Sequence, residues 1–133
     1  ESAFSATLSL PTPTQVTVLV IDDNTDWLEL VQRYSSGSRY QIFGTRDSGS
    51  APALVAKMQP ALVLLDVMMQ HVDGWQVLSE LRQDPATSHV PVIVCTVLPV
   101  EEMAIALGAS AFMQKPISQQ TFLQILDRQD QLP

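Results

Sequence analysis

Basic residues are scarce in this chain: seven Lys and Arg stand against 14 Asp and Glu, a formal net charge of −7. Phosphate-backbone contacts need clustered cations, so this balance argues against unaided nucleic-acid binding and leaves a basic protein surface open as a partner. No apolar run approaches the roughly 18 residues that a membrane span needs. A membrane-inserted helix is therefore not expected, and no secretory leader is visible. Cysteine is down to Cys95 alone, which rules out an internal disulfide. Its place inside an apolar run reads as a buried structural thiol, and the pattern fits a reducing cytoplasm. No internal repeat is present. What remains is a globular composition, 46% hydrophobic over 133 residues, enough for one domain with a core that needs no staples.

The run Leu62-Val63-Leu64-Leu65 organises the rest, because it is apolar at successive positions and stops on a single carboxylate, Asp66. Such a run suits a parallel strand covered on both faces, whose C-terminal end opens on a ligand crevice. Residues 1–15, with Pro11 and Pro13, read as a linker, and an opening Glu suggests a chain cut from something longer with a domain upstream. Val16 to Ile21 is a β-branched first strand ending on Asp22-Asp23. Asn24 or Thr25 caps a helix carrying Trp27, Leu28, Val31 and Tyr34. Tyr40 to Gly44 is a second strand, Ser50 caps a second helix that Pro60 ends, and Gly74 supplies a turn before a third helix through Val77, Leu78 and Leu81. Val92 to Cys95 makes a fourth strand ending on Thr96. A short helix from Glu101 to Leu107 is closed by Gly108, Ala111 to Gln114 forms a fifth strand running into Lys115-Pro116, and Ser118 caps a last helix. Residues 16–127 thus form one domain, with 128–133 a frayed tail. Strands alternating with helices predict an α/β fold: a doubly wound, five-stranded parallel sheet with helices on both faces.

Five chemistry-bearing residues then fall at strand C-termini along one edge: Asp22, Asp23, Asp66, Thr96 and Lys115. Singly, each has a bland reading as a cap, a turn residue or a loop lysine. Together they do not. Three crowded carboxylates repel unless a cation sits among them, and oxygen ligands select a hard ion such as Mg²⁺. An ammonium, a hydroxyl and a divalent ion around one carboxylate are what a transferred phosphoryl group needs, with that carboxylate as nucleophile.

The segments 18–24 (VLVIDDN), 64–69 (LLDVMM), Asp73-Gly74, 92–96 (VIVCT) and Gly108-Ala109 through Phe112 to Lys115-Pro116 resemble the receiver domains of two-component response regulators. The resemblance spans nearly all of Val16 to Leu126. It implies a flavodoxin-like fold with sheet order 2-1-3-4-5, in which Asp66 accepts a phosphoryl group from a histidine kinase or a histidine phosphotransfer protein. It further implies Mg²⁺ on Asp23, Asp66 and the backbone carbonyl of Met68, with Asp22 acting largely through water. Thr96 and Lys115 would hold phosphoryl oxygens, Phe112 would be the aromatic that moves with Thr96, and Lys115-Pro116 would be a cis peptide. The switched surface would lie around the fourth helix, the fifth strand and the last helix. Such a domain is a signalling module rather than an enzyme acting on a separate substrate.

Three positions depart from the family pattern. Gln70 stands where most receivers carry proline, which loosens the loop after Asp66. Val97 follows Thr96 where a small residue is commoner, and so is expected to gate access to Asp66. The span from Thr96 to Gly108 is about three residues short, roughly one helical turn, so the fourth helix is expected to be stunted. Rival readings fare worse. A flavin-binding domain of this fold would want a Gly/Ser/Thr phosphate cradle where Asp22 to Thr25 is acidic. A haloacid-dehalogenase-like phosphatase would carry its Asp after the first strand with another Asp two positions on, and Asp66 has Met68 there. A receiver that works without phosphorylation would not need the complete acceptor set.

Overall fold

The computed structural model describes residues 15–131. All but Gln15 of the expected linker lies outside the described residues. The elements follow one another as β1 (Val16–Ile21), α1 (Thr25–Ser35), β2 (Tyr40–Thr45), α2 (Ala51–Met58), β3 (Leu62–Leu65), β4 (Met68–Met69), β5 (Val72–Asp73), α3 (Gly74–Gln83), β6 (Val92–Thr96), α4 (Glu101–Ala106), β7 (Ala111–Gln114) and α5 (Gln119–Asp130). Five strands form one sheet in the order β2-β1-β3-β6-β7, every pairing parallel. With the two-residue strands β4 and β5 set aside, this is the expected 2-1-3-4-5 order of a flavodoxin-like fold.

The period-two alternation of a strand divides the core between the two faces. Leu19, Ile21, Val63, Leu65, Val92 and Val94 pack against Val55, Leu78, Leu81 and Ala104 from α2, α3 and α4. Val18, Val20, Leu62, Leu64, Ile93 and Cys95 pack against Trp27, Val31, Phe122 and Leu126 from α1 and α5. β3 is buried at all four positions, which explains its unbroken apolar run. Among the described residues no helix is long and apolar enough to cross a membrane.

Four local features differ from the sequence reading. Gly74 is the first residue of α3 rather than a turn residue, and a Cβ there would lie 2.3 Å from Val67 Cα and 2.6 Å from the Asp66 carbonyl oxygen. Close approach is what requires glycine. Ser50 makes no side-chain cap to α2; its hydroxyl donates to Asp47 instead, and Asp47 also accepts from the Gly49 and Ser50 N–H groups. The segment after Asp66 folds as an antiparallel β4-β5 hairpin, with His71 at φ +67° in its turn. Finally, α5 does not fray at 128 but continues to Asp130, because Gln129 is buried and Arg39 pairs with Asp127 and Asp130 at 3.1 Å each. The short α4 is as expected: six residues, ending against Gly108 at φ +108°, whose carbonyl accepts from Arg82 Nε at 2.7 Å.

Candidate functional site

In this order the connection from β1 runs outward to β2 and then back across β1 to β3, so the C-terminal ends of β1 and β3 flank the switch point where a crevice opens. Asp22 and Asp23 leave β1 there and Asp66 leaves β3. Asp22 is 1% exposed and Asp66 7%. Buried carboxylates need partners, and these have them. Lys115, just past β7, donates from Nζ to Asp22 Oδ2 at 2.6 Å and to Asp66 Oδ2 at 3.1 Å. The remaining oxygens are held by local backbone: Asp22 Oδ1 accepts from the Asn24 N–H at 2.9 Å, and Asp66 Oδ1 from the Met68 N–H at 2.8 Å.

Burial pushes the Asp22 carboxyl above its ordinary range, and the hydrogen bond from Lys115 pulls it only partly back. Burial alone would push the Lys115 ammonium down, but Asp22 and Asp66 outweigh it and hold the group above its usual value. The lysine therefore stays charged inside the crevice. Its backbone is tied to the end of β6, since the Lys115 N–H donates to the Thr96 carbonyl at 2.8 Å. The Lys115-Pro116 bond is cis, as the resemblance implied.

Thr96 ends β6 fully buried, and its Oγ1 has no hydrogen-bond partner. An unmet buried hydroxyl costs roughly 1–3 kcal/mol and would welcome an acceptor oxygen. Phe112 is half-buried on β7, packed on the core beneath α3 and α4 and lining a shallow depression with Pro99, Val100 and Met103. Val97, directly after the buried Thr96, and Met68, two residues after the buried Asp66, are exposed at 54% and 56%.

Asp23 stands apart from the other two carboxylates. Its Oδ2 accepts from the Gln70 N–H at 2.8 Å, and its backbone carbonyl accepts from Arg46 Nε at 3.1 Å. These residues, with Asn24, Met69 and His71, line an open cleft of about 770 Å³. Among the described residues no three acidic, histidine or cysteine side chains close around one point as a finished cation site. The donor chemistry nevertheless suits a hard divalent ion: Asp22 and Asp66 share one ammonium, the Asp23 carboxylate has no cation partner among the described residues, and the ligand atoms these three side chains offer are all oxygen.

Two contributors escaped the sequence reading. Gln70 does not merely loosen its loop, since its N–H, which proline lacks, ties the hairpin to Asp23. Trp27, which the sequence places only as one of the residues carried by the first helix, has Lys115 Nζ 4.6 Å from its ring centroid. The signal available for Trp27 was its position three residues after Asn24, whose Oδ1 caps α1 by accepting the Trp27 N–H at 3.1 Å.

Sheet order and crevice together define a doubly wound α/β domain with an acidic, lysine-bridged pocket at its switch point. The family model of the response regulator receiver domain matches residues 18–127. The chain belongs to that family, whose members are signalling domains of two-component systems. It is 35% identical over 103 residues to the response regulator PleD of Caulobacter vibrioides, a match covering 75% of this chain and 23% of PleD. The chain thus spans about a quarter of that relative. It is also 26% identical over 113 residues to the protein PilH of Pseudomonas aeruginosa, covering 83% of this chain and 93% of PilH. Among solved structures it resembles the receiver domain of a sensor histidine kinase from Pseudomonas aeruginosa, with a TM-score of 0.78 at 18% identity over 88% of this chain and 98% of that one. That structure holds a magnesium ion in its active site cleft.

Proposed function

We propose that Asp66 accepts a phosphoryl group from the phosphohistidine of a histidine kinase or a histidine phosphotransfer protein. The observation that carries this reading is the pair of buried carboxylates, Asp22 and Asp66, bridged by Lys115 at the ends of β1, β3 and β7. Asp66 attacks phosphorus, an O–P bond forms as the histidine N–P bond breaks, and the leaving imidazole takes up a proton. Lys115 and the unpaired Thr96 hydroxyl then have phosphoryl oxygens to serve, and each is already held at its strand end. Asp22, Asp23, Asp66 and the Met68 backbone carbonyl would hold Mg²⁺, which when bound offsets the negative charge on the transferred group.

Pairing Lys115 and Thr96 with a phosphoryl group alters the β6 and β7 ends, and Phe112 lies on β7 between them and the α4 surface. The switched face is accordingly α4, β7 and α5. The output would be a change in protein contact, with no chemistry on a separate substrate, no direct contact to nucleic acid and no insertion into a membrane. A cytoplasmic module linked to an upstream domain suits the lone buried Cys95 and the Pro-containing lead-in. A hybrid kinase, a larger regulator and a relay intermediate all provide that context.

The test is intact-mass analysis after incubation with acetyl phosphate and Mg²⁺. One phosphate adduct is expected on the wild-type chain, none after chelation of Mg²⁺, and none on Asp66→Asn. Adduct persisting at the wild-type level in Asp66→Asn would overturn the assignment.

A further inference from the structure

We infer that Trp27 is a positioning residue for Lys115, its indole face retaining the ammonium in the crevice when the carboxylate oxygens are engaged elsewhere. The inference rests on the phosphoryl-acceptor reading of the same site. Four residues form a closed circuit. Asp22 Oδ1 accepts the Asn24 N–H at 2.9 Å, and Asn24 Oδ1 accepts the Trp27 N–H at 3.1 Å. The Trp27 ring then meets Lys115 Nζ at 4.6 Å from its centroid, and Nζ returns to Asp22 Oδ2 at 2.6 Å. The loop that holds one oxygen of Asp22 therefore also places the ring that holds the lysine bonded to its other oxygen.

Two observations separate this contact from ordinary packing. Trp27 is 6% exposed and the Lys115 side chain 10%, so cation and ring meet with little water between them, where such contacts are strongest. The indole Nε1 is buried without a hydrogen-bond partner, so no polar bond of the indole fixes the ring; packing and the ammonium do. The arrangement has a use. A divalent ion and the ammonium would compete for the same carboxylate oxygens, whereas a strongly hydrated hard ion has little claim on an aromatic face. As the oxygens are taken, Lys115 keeps one partner and stays aimed into the crevice instead of swinging out on its flexible stem.

Trp75→Phe leaves Trp27 as the only indole of the two in the chain. In that background, without metal or phosphodonor, Lys115→Met should change the Trp27 emission intensity by at least about 1.5-fold as the facing cation is lost. A superimposable spectrum would overturn the inference. In the otherwise wild-type chain, Trp27→Phe keeps an aromatic face and Trp27→Leu keeps apolar bulk without one. With acetyl phosphate and Mg²⁺, labelling of Trp27→Phe should stay within about threefold of wild type, while Trp27→Leu should be about tenfold slower than Trp27→Phe. Equal rates for two variants with matching urea midpoints would reduce Trp27 to packing. If Trp27→Leu does not fold, the emission experiment decides alone. If the wild-type chain is never labelled but its emission responds to Lys115→Met, the phosphoryl reading fails and the Trp27–Lys115 contact stands.

Discussion

Asp23 is the carboxylate whose surroundings least resemble those of a settled ligand. Asp22 and Asp66 are both buried and both bonded to Lys115, whereas Asp23 is partly exposed and turned to the Gln70 N–H. Removing it relieves like-charge repulsion without stranding the ammonium. Asp23→Ala should therefore weaken Mg²⁺ binding by at least about tenfold, the loss of one charged oxygen ligand, while the apo urea midpoint holds or rises. An unchanged affinity in a Mg²⁺ titration would exclude Asp23 as a ligand. Val97 poses a different question, that of access. Its side chain is 54% exposed immediately after the buried Thr96, and valine is stiff about χ1, so it cannot easily swing aside. In-line attack by a small phosphodonor or by water tolerates little displacement, with about 1 Å costing on the order of a hundredfold. Val97→Ala should therefore speed both labelling of Asp66 and spontaneous loss of phosphate with Mg²⁺ affinity unaltered. Rates within about twofold of wild type, less than about 0.4 kcal/mol in barrier, would show that Val97 is no gate.

Among the elements, the β4-β5 hairpin and the start of α3 govern how the acceptor loop is held. Asp73 caps α3 by accepting the Trp75 N–H at 2.9 Å, and Gly74 lets the first turn of the helix lie against the backbone of Asp66 and Val67. A methyl group there would meet backbone atoms that cannot rotate away. Gly74→Ala is expected to lose about 3 kcal/mol or more in urea denaturation, beyond the usual range for overpacking a side-chain core. Gly37→Ala is the matched control: its Cβ would meet nothing within 4 Å, so only its φ of +80° opposes the change, at about 1 kcal/mol. Equal losses at the two positions would refute the close-approach explanation. The hairpin itself was not legible in the sequence. Its strands have two residues each, and its turn places His71, neither Gly nor Asn, at positive φ, so neither periodicity nor turn chemistry announces it.

Across the whole molecule, the N-terminal edge of β2 is tied to the end of α5. Tyr40 donates its hydroxyl to Asp127, and Arg39 contacts the Tyr40 oxygen and pairs with Asp127 and Asp130. Burial, followed by the bond to Asp127, pushes the Tyr40 phenol up to about 12, against the pull of Arg39. Because the folded chain holds this proton more tightly than the unfolded one, the stabilisation is complete below the ordinary phenol value near pH 10 and is lost as pH rises through 12. Urea midpoints between pH 8 and 12 should fall for the wild-type chain and fall less for Tyr40→Phe, which starts lower but has no phenol to ionise. Lys115, also held above its ordinary value by Asp22 and Asp66, contributes a loss at high pH that both chains share. Parallel curves would show that Tyr40 does not titrate within this window.

The sequence by itself determined the order of the five sheet strands and the five helices along the chain, the double winding of the sheet and the five chemistry-bearing residues at strand ends. These follow from local periodicity and from the rule that parallel strands point their C-termini at one crevice. Leu62 to Leu65 could be read as a central strand because burial on both faces leaves no polar position in it. Only the tertiary structure decided which of those residues touch. Lys115 reaches Asp22 across 93 positions and Asp66 across 49, Gln70 reaches Asp23 across 47, and Trp27 meets Lys115 through its ring face. The same holds for the extra turn of α5, whose polar residues look ready to fray until Arg39, supplied from β2's edge, neutralises them. Hydrogen bonds and ion pairs between distant residues depend on distances of a few tenths of an ångström, which spacing along a chain does not encode and the packing of the two sheet faces does.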